Sequence, residues 1–94
     1  MVLYFQSSSI EHQKREKVKA QKLRASRWWK NQLGRGVCYH CEKRFHPFEL
    51  TMDHLIPIAR GGMSDKNNVV PSCKECNTKK GSKTRAEIAL SELT

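Results

Sequence analysis

No stretch of this sequence is apolar for long enough to cross a bilayer, and none has the hydrophobic core of a secretory signal. The expected setting is therefore cytoplasmic or nucleoid-associated. Apolar residues are also scarce, 37% against 29% charged, in a chain of 94 residues. That excludes a large hydrophobic core and leaves one small domain that needs a staple. Acidic residues number 9 against 18 Lys and Arg, for a formal charge of +9. Four thiolates around one Zn2+ would lower that charge by only two. Such a balance points to a polyanionic partner, nucleic acid ahead of a membrane surface. Cysteine occurs four times, all in two Cys-x-x-Cys pairs, Cys38/Cys41 and Cys73/Cys76. This is a metal pattern more than a disulfide framework.

Residues 1–9 are set aside as an expression-tag remnant, because Leu3-Tyr4-Phe5-Gln6-Ser7 resembles the end of a viral-protease cleavage site and Ser8-Ser9 a linker. Residues 10–35 form a basic helical arm. Gly and Pro are absent from 10–33, and Ala25, Trp28, Trp29 and Leu33 recur at helical spacing, with Gly34 and Gly36 as the stop. Residues 10–22 hold little to bury and are expected to be exposed or frayed. Nine basic residues lie between Lys14 and Arg35, a solvated face or a phosphate-contacting arm. At least one of Trp28 and Trp29 is expected in the core.

The two cysteine pairs are separated by residues 42–72, longer than in a simple zinc ribbon, so something substantial is inserted between the knuckles. With four thiols at hand, His40 and His46 read as surface or loop residues, and His12 carries no signal. Phe48, Leu50 and Met52 alternate with Glu49, Thr51 and Asp53, a half-buried strand that ends at Asp53 and delivers His54 to a loop. Val69-Val70 is a short second strand halted by Pro71. Ser72 is placed as the N-cap of a helix starting near Cys73, which puts Cys73, Cys76, Asn77 and Lys80 on one face. Thr84–Leu93 reads as a separate short helix packing Ile88 and Leu90 or Leu93 inward.

The segments CYHC, LTMDHLIPIARGG, NNVVPSC and CKECNTKKG, in that order over roughly Gly36 to Gly81, resemble the HNH endonuclease family. In that family's terms His54 is the first H, Asn68 the N, and Asn77 stands where a second His is common. The resemblance implies a small α+β domain of the ββα-metal, treble-clef-like type over 36–94, zinc-stapled, with a basic N-terminal helix and a short C-terminal helix. It also implies in-line hydrolysis that leaves 5′-phosphate and 3′-hydroxyl ends.

Chemistry suggests a role for each residue. Cys38, Cys41, Cys73 and Cys76 hold a structural Zn2+. Asp53 and Asn77 offer oxygen ligands to Mg2+ or Mn2+ and leave positions for water and phosphate. His54 takes a proton from the attacking water, and Asn68, or the backbone near it, fixes the loop that orients the ring. Asn68 as a plain turn cap remains an open alternative. Lys22, Arg24, Arg27, Lys30, Arg35, Arg60, Lys79, Lys80 and Lys83, with Lys74, are candidate phosphate contacts. The expectation is a DNA endonuclease or nickase acting on double-stranded DNA with low sequence specificity. The alternatives are a non-catalytic zinc-stabilised DNA-binding module and, more weakly, a treble-clef protein-interaction module.

Overall fold

A computed structural model describes residues 9–80; the expected Thr84–Leu93 helix and Lys83 lie outside them. The chain runs through two helices, α1 (Ile10–Arg24) and α2 (Arg27–Gly34), a cysteine knuckle, and strand β1 (Leu50–His54). After a loop come strand β2 (Val69–Cys73) and helix α3 (Lys74–Lys80), giving a small α+β fold with a two-stranded antiparallel sheet.

The helical arm is broken where a single helix was expected. Ser26 accepts from Trp29 N at 3.2 Å, capping α2, while its hydroxyl donates to the Leu23 carbonyl at 2.6 Å. One serine thus ends one helix and starts the next, the competition with helical hydrogen bonding that serine offers. Ser9 caps α1 in the same way, accepting from His12 N at 3.0 Å. Trp29 is buried and Trp28 only half-buried. The first half of the arm is docked, contrary to expectation. Glu16 is 1% exposed and Ala20 2%, and α1 packs against the Ile58–Arg60 turn. The anchor is polar, so hydropathy does not reveal it.

Gly36 turns the chain into the knuckle with φ +66°, and a Cβ there would lie 2.8 Å from the Phe45 carbonyl. Hydrogen bonds from Phe45 N to Gly36 O and from Cys38 N to Lys43 O close the knuckle at 2.8 and 3.0 Å. Pro47–Glu49 then forms a 3-10 turn, so β1 begins only at Leu50 and Phe48 is 80% exposed instead of packing with Leu50.

β1 and β2 pair from Leu50↔Cys73 to His54↔Val69. Pro71 sits inside β2 opposite Met52 and does not halt it. The Pro71 carbonyl accepts from Tyr39 N at 2.9 Å, on the edge away from β1. A residue's N–H and C=O leave a strand on the same side, so the missing N–H falls on that outer edge and breaks no rung. Ser72 is buried in the strand and does not cap the helix, which starts one residue later than expected, at Lys74. Cys76 N donates to the Cys73 sulfur at 3.5 Å in place of a serine cap.

The core is small. Cys38, Leu50 and Cys73 form its buried cluster, with Leu33, Phe45, Cys41 and Cys76 packed against it. Four of those seven residues are cysteines, so an ion between the sulfurs would supply much of what apolar burial cannot.

Candidate active site and metal centre

The knuckle, the end of β2 and the start of α3 bring Cys38, Cys41, Cys73 and Cys76 together, with all four sulfurs within 4.8 Å of one another and none in a disulfide. Sulfurs held at ~2.3 Å around a tetrahedral zinc stand ~3.8 Å apart. The Cys41–Cys73 separation of 4.0 Å matches that spacing. Cys73 N also donates to the Cys38 sulfur, at 3.4 Å. Burial pushes the Cys38 thiol up, but backbone N–H groups of Cys41, Cys73 and His40 outweigh it and bring it down to about 6. Burial raises Cys73 and Cys76, which also face neighbouring thiols. The Cys38 thiolate forms readily, and the raised thiols of Cys73 and Cys76 need a cation to ionise. The cluster fits a zinc ion.

A second constellation lies where β1 meets α3. Asp53, His54, Asn77 and Lys80 line one open cavity of about 200 Å³, together with Met52, Pro57 and Ile58. Asp53 is only 5% exposed, and both its oxygens have partners. His40 Nε2 lies 2.6 Å from Oδ2, and Lys80 Nζ donates to Oδ1 at 3.1 Å and to the His54 carbonyl at 2.8 Å. Asn77 donates through Nδ2 to Thr51 Oγ1 at 3.0 Å, which leaves its carboxamide oxygen as an acceptor.

His54 is half-buried, with Nε2 2.9 Å from Ser64 Oγ. Burial lowers its pKa below the ordinary 6.5; the Arg24 charge adds to this, Asp53 opposes it, and Lys80 pushes it down further. The ring is therefore mainly neutral at pH 7 and able to accept a proton.

The loop after His54 is laced by Asn68. Its Oδ1 accepts from Ile56 N at 2.8 Å, and its Nδ2 donates to Ile56 O at 3.0 Å and Met63 O at 2.8 Å. Leu55 N adds a bond to the Asn68 carbonyl at 2.8 Å. Gly61 takes φ +92° in this loop, and a Cβ on Gly62 would collide with the Ile56 carbonyl, so both glycines are required.

Among the candidate phosphate contacts, Lys22, Arg24, Arg27, Lys30, Arg35, Lys74 and Lys79 are exposed, and Arg60 is partly covered. Lys80 departs from the expected surface position. It is 3% exposed and pairs with Asp53. Three residues not singled out in the sequence also belong to the site or its support. His40, read there as a loop residue, contacts Asp53; its place inside the knuckle was the available signal. Ser64 touches His54 from ten residues away, and Glu16 holds Ser64 through hydrogen bonds between segments 48 residues apart, which no local pattern encodes.

A β-hairpin and helix joined by a four-cysteine cluster fit for zinc, with Asp-His at a strand end, defines a ββα-metal domain. The family model for HNH endonuclease matches residues 38–91, more than half of the chain, and the chain belongs to that family. Family membership makes nucleic acid the substrate class and a nuclease or DNA-related role the one indicated. A comparison with curated proteins finds no match. Among the described residues, no helix is long and apolar enough to cross a membrane.

Proposed function

We propose that the chain is a metal-dependent endonuclease or nickase that hydrolyses phosphodiester bonds in double-stranded DNA with low sequence specificity. The observation that carries this reading is the shared cavity, in which Asp53, His54 and Asn77, contributed by a strand end and the facing helix, line the same space.

His54, neutral at working pH, takes the proton of the attacking water at a ring nitrogen. Asn68 supports it by holding the loop after residue 54 through three side-chain hydrogen bonds. The donor set fits a hard divalent cation, since Asp53 provides a carboxylate with lone pairs beyond the two already used, and Asn77 a carboxamide oxygen. Mg2+ or Mn2+ held by Asp53 and Asn77 would supply charge relief at the phosphate and the departing 3′ oxygen. His40 and Lys80 orient the Asp53 carboxylate. Lys22, Arg24, Arg27, Lys30, Arg35 and Lys79 contact phosphates along the substrate, a mode that carries little base information; Arg60 and Lys83 are assigned the same role.

One observation favours the second reading, a zinc-stabilised DNA-binding module without catalysis. Both Asp53 oxygens already have partners, and Lys80 puts a like charge beside any incoming cation. Plasmid nicking with Mg2+ or Mn2+ separates the two readings. The endonuclease reading expects the parent to convert supercoiled DNA to open circle and His54→Ala to lose that activity. Equal cleavage by both removes His54 as the base, and no cleavage by the parent under varied metals leaves the binding module.

A further inference from the structure

Ser64 lies between two groups that compete for its single proton. Its Oγ is 2.6 Å from the backbone carbonyl of Glu16 and 2.9 Å from Nε2 of His54. A carbonyl oxygen only accepts, so the Ser64 hydroxyl hydrogen goes to Glu16. Toward His54 the same oxygen can then offer only a lone pair, and the ring nitrogen facing it must carry the hydrogen. In a neutral imidazole this assigns the proton to Nε2 and the basic lone pair to Nδ1.

The clamp on Ser64 is firmly built. Its N–H donates to Glu16 Oε1 at 2.6 Å, so one residue of α1 grips both its backbone and its side chain. Glu16 and Ser64 are 1% and 4% exposed. Lys19 Nζ, at 3.2 Å, and Arg15 Nε, at 3.9 Å, steady the Glu16 carboxylate from the solvent side. One helical turn earlier, His12 Nε2 meets the Gly62 carbonyl at 3.0 Å, fixing the loop that carries Ser64 a second time. A serine hydroxyl free to rotate would stabilise either tautomer of a neighbouring histidine. This one is fixed.

We propose that Ser64, held by Glu16 of α1, is a positioning residue that sets His54 as the Nε2–H tautomer and reserves Nδ1 for the proton taken from water. This deepens the nuclease reading above and rests on it. The arm that presents Lys22 and Arg24 to solvent would then also set the chemistry of the base, so the part that grips DNA and the part that cuts it share one helix.

The test uses the whole chain labelled with 15N-histidine, loaded with zinc and free of other divalent metal. Long-range proton–nitrogen correlation reads which ring nitrogen of each histidine is protonated, and loss of one signal set in His54→Ala makes the assignment. The parent should show His54 as the Nε2–H form, and Ser64→Ala should show a mixture. In parallel, Ser64→Ala should lower kcat by roughly tenfold to a hundredfold with KM little changed, the size of effect that misplacing a reacting group produces. Ser64→Thr, which keeps the hydroxyl, should restore both readouts. A parent with the proton on Nδ1 overturns the proposal without any variant, so an unfolded Ser64→Ala leaves it decidable. A folded Ser64→Ala that keeps the parental tautomer and rate overturns it equally. The tautomer measurement requires no cleavage, so an inactive parent would count against the nuclease reading while the Ser64 assignment is judged separately.

Discussion

Lys80 donates to Asp53 Oδ1 at 3.1 Å, with the two side chains 3% and 5% exposed, and so ties α3 to the end of β1 at the proposed catalytic carboxylate. Removing one member of a buried pair leaves the other charge desolvated and uncompensated. Asp53→Ala is therefore expected to cost about 3 kcal/mol or more of unfolding free energy. Asp53→Ala combined with Lys80→Met should recover a good part of that loss, because no bare charge remains. Urea unfolding of the two single variants and the double variant measures the coupling, and simple additivity would show that the pair is not coupled.

A zinc ion held by the four-sulfur cluster would be part of the fold. Metal analysis should find about one tightly held zinc per chain, and stripping it with a strong chelator should abolish the helical circular dichroism. Cys73→Ser should have the same effect, since Cys73 is both a buried core residue and the acceptor for Cys76 N at the head of α3. A folded, zinc-free Cys73→Ser protein would remove the ion from the account of stability.

Because burial and the Arg24 and Lys80 charges hold the His54 pKa below 6.5, a base at that position should give a cleavage rate that rises with pH through a midpoint below 6.5. The sign for stability is the same. The unfolded chain binds the His54 proton more tightly than the folded one, so the contribution of His54 is fully present above pH 6.5 and lost as pH falls through the lower folded value. Glu16 acts alike further down. Its pKa is lowered from 4.5, chiefly by the Ser64 N–H, with burial opposing and Lys19 assisting, so its contribution disappears as pH falls through the folded value, below 4.5. His54→Gln should remove the first of these two steps from a stability-versus-pH curve and leave the second.

Phosphate contacts have a salt signature that separates the exposed cations from the buried one. Lys30→Ala and Arg35→Ala should each weaken DNA binding across unrelated sequences and reduce the slope of log affinity against log salt by about 1. Binding measured without divalent metal at several salt concentrations checks this. Lys80→Met, if it folds, should leave the slope unchanged, because its ammonium already faces Asp53.

The four-cysteine cluster and the hairpin-helix order were legible in the sequence because they rest on local rules. The Cys-x-x-Cys spacing, the Asp-His at the end of an alternating run and the Gly-Gly loop each depend on covalent geometry within a few residues. Where expectation and structure part, the deciding contact is either distant in the chain or a local hydrogen bond that the apolar pattern does not report. Pro71 is tolerated because its outer edge faces Tyr39, and Ser72 is buried in the strand while the Cys73 sulfur receives the helix's N–H. Phe48 stays outside because a 3-10 turn delays the strand.

By itself the sequence determined a basic, zinc-stapled domain of this family and the residue types available for its chemistry, since ligand spacing and strand alternation follow from the chain's own geometry. Only the tertiary structure decided the environment of each charge. A lysine and a glutamate look solvated in a list of residues. Folding made Lys80 the partner of Asp53 and Glu16 the clamp on Ser64, because a buried charge is tolerable only where another segment of the chain brings its counterpart within hydrogen-bonding distance.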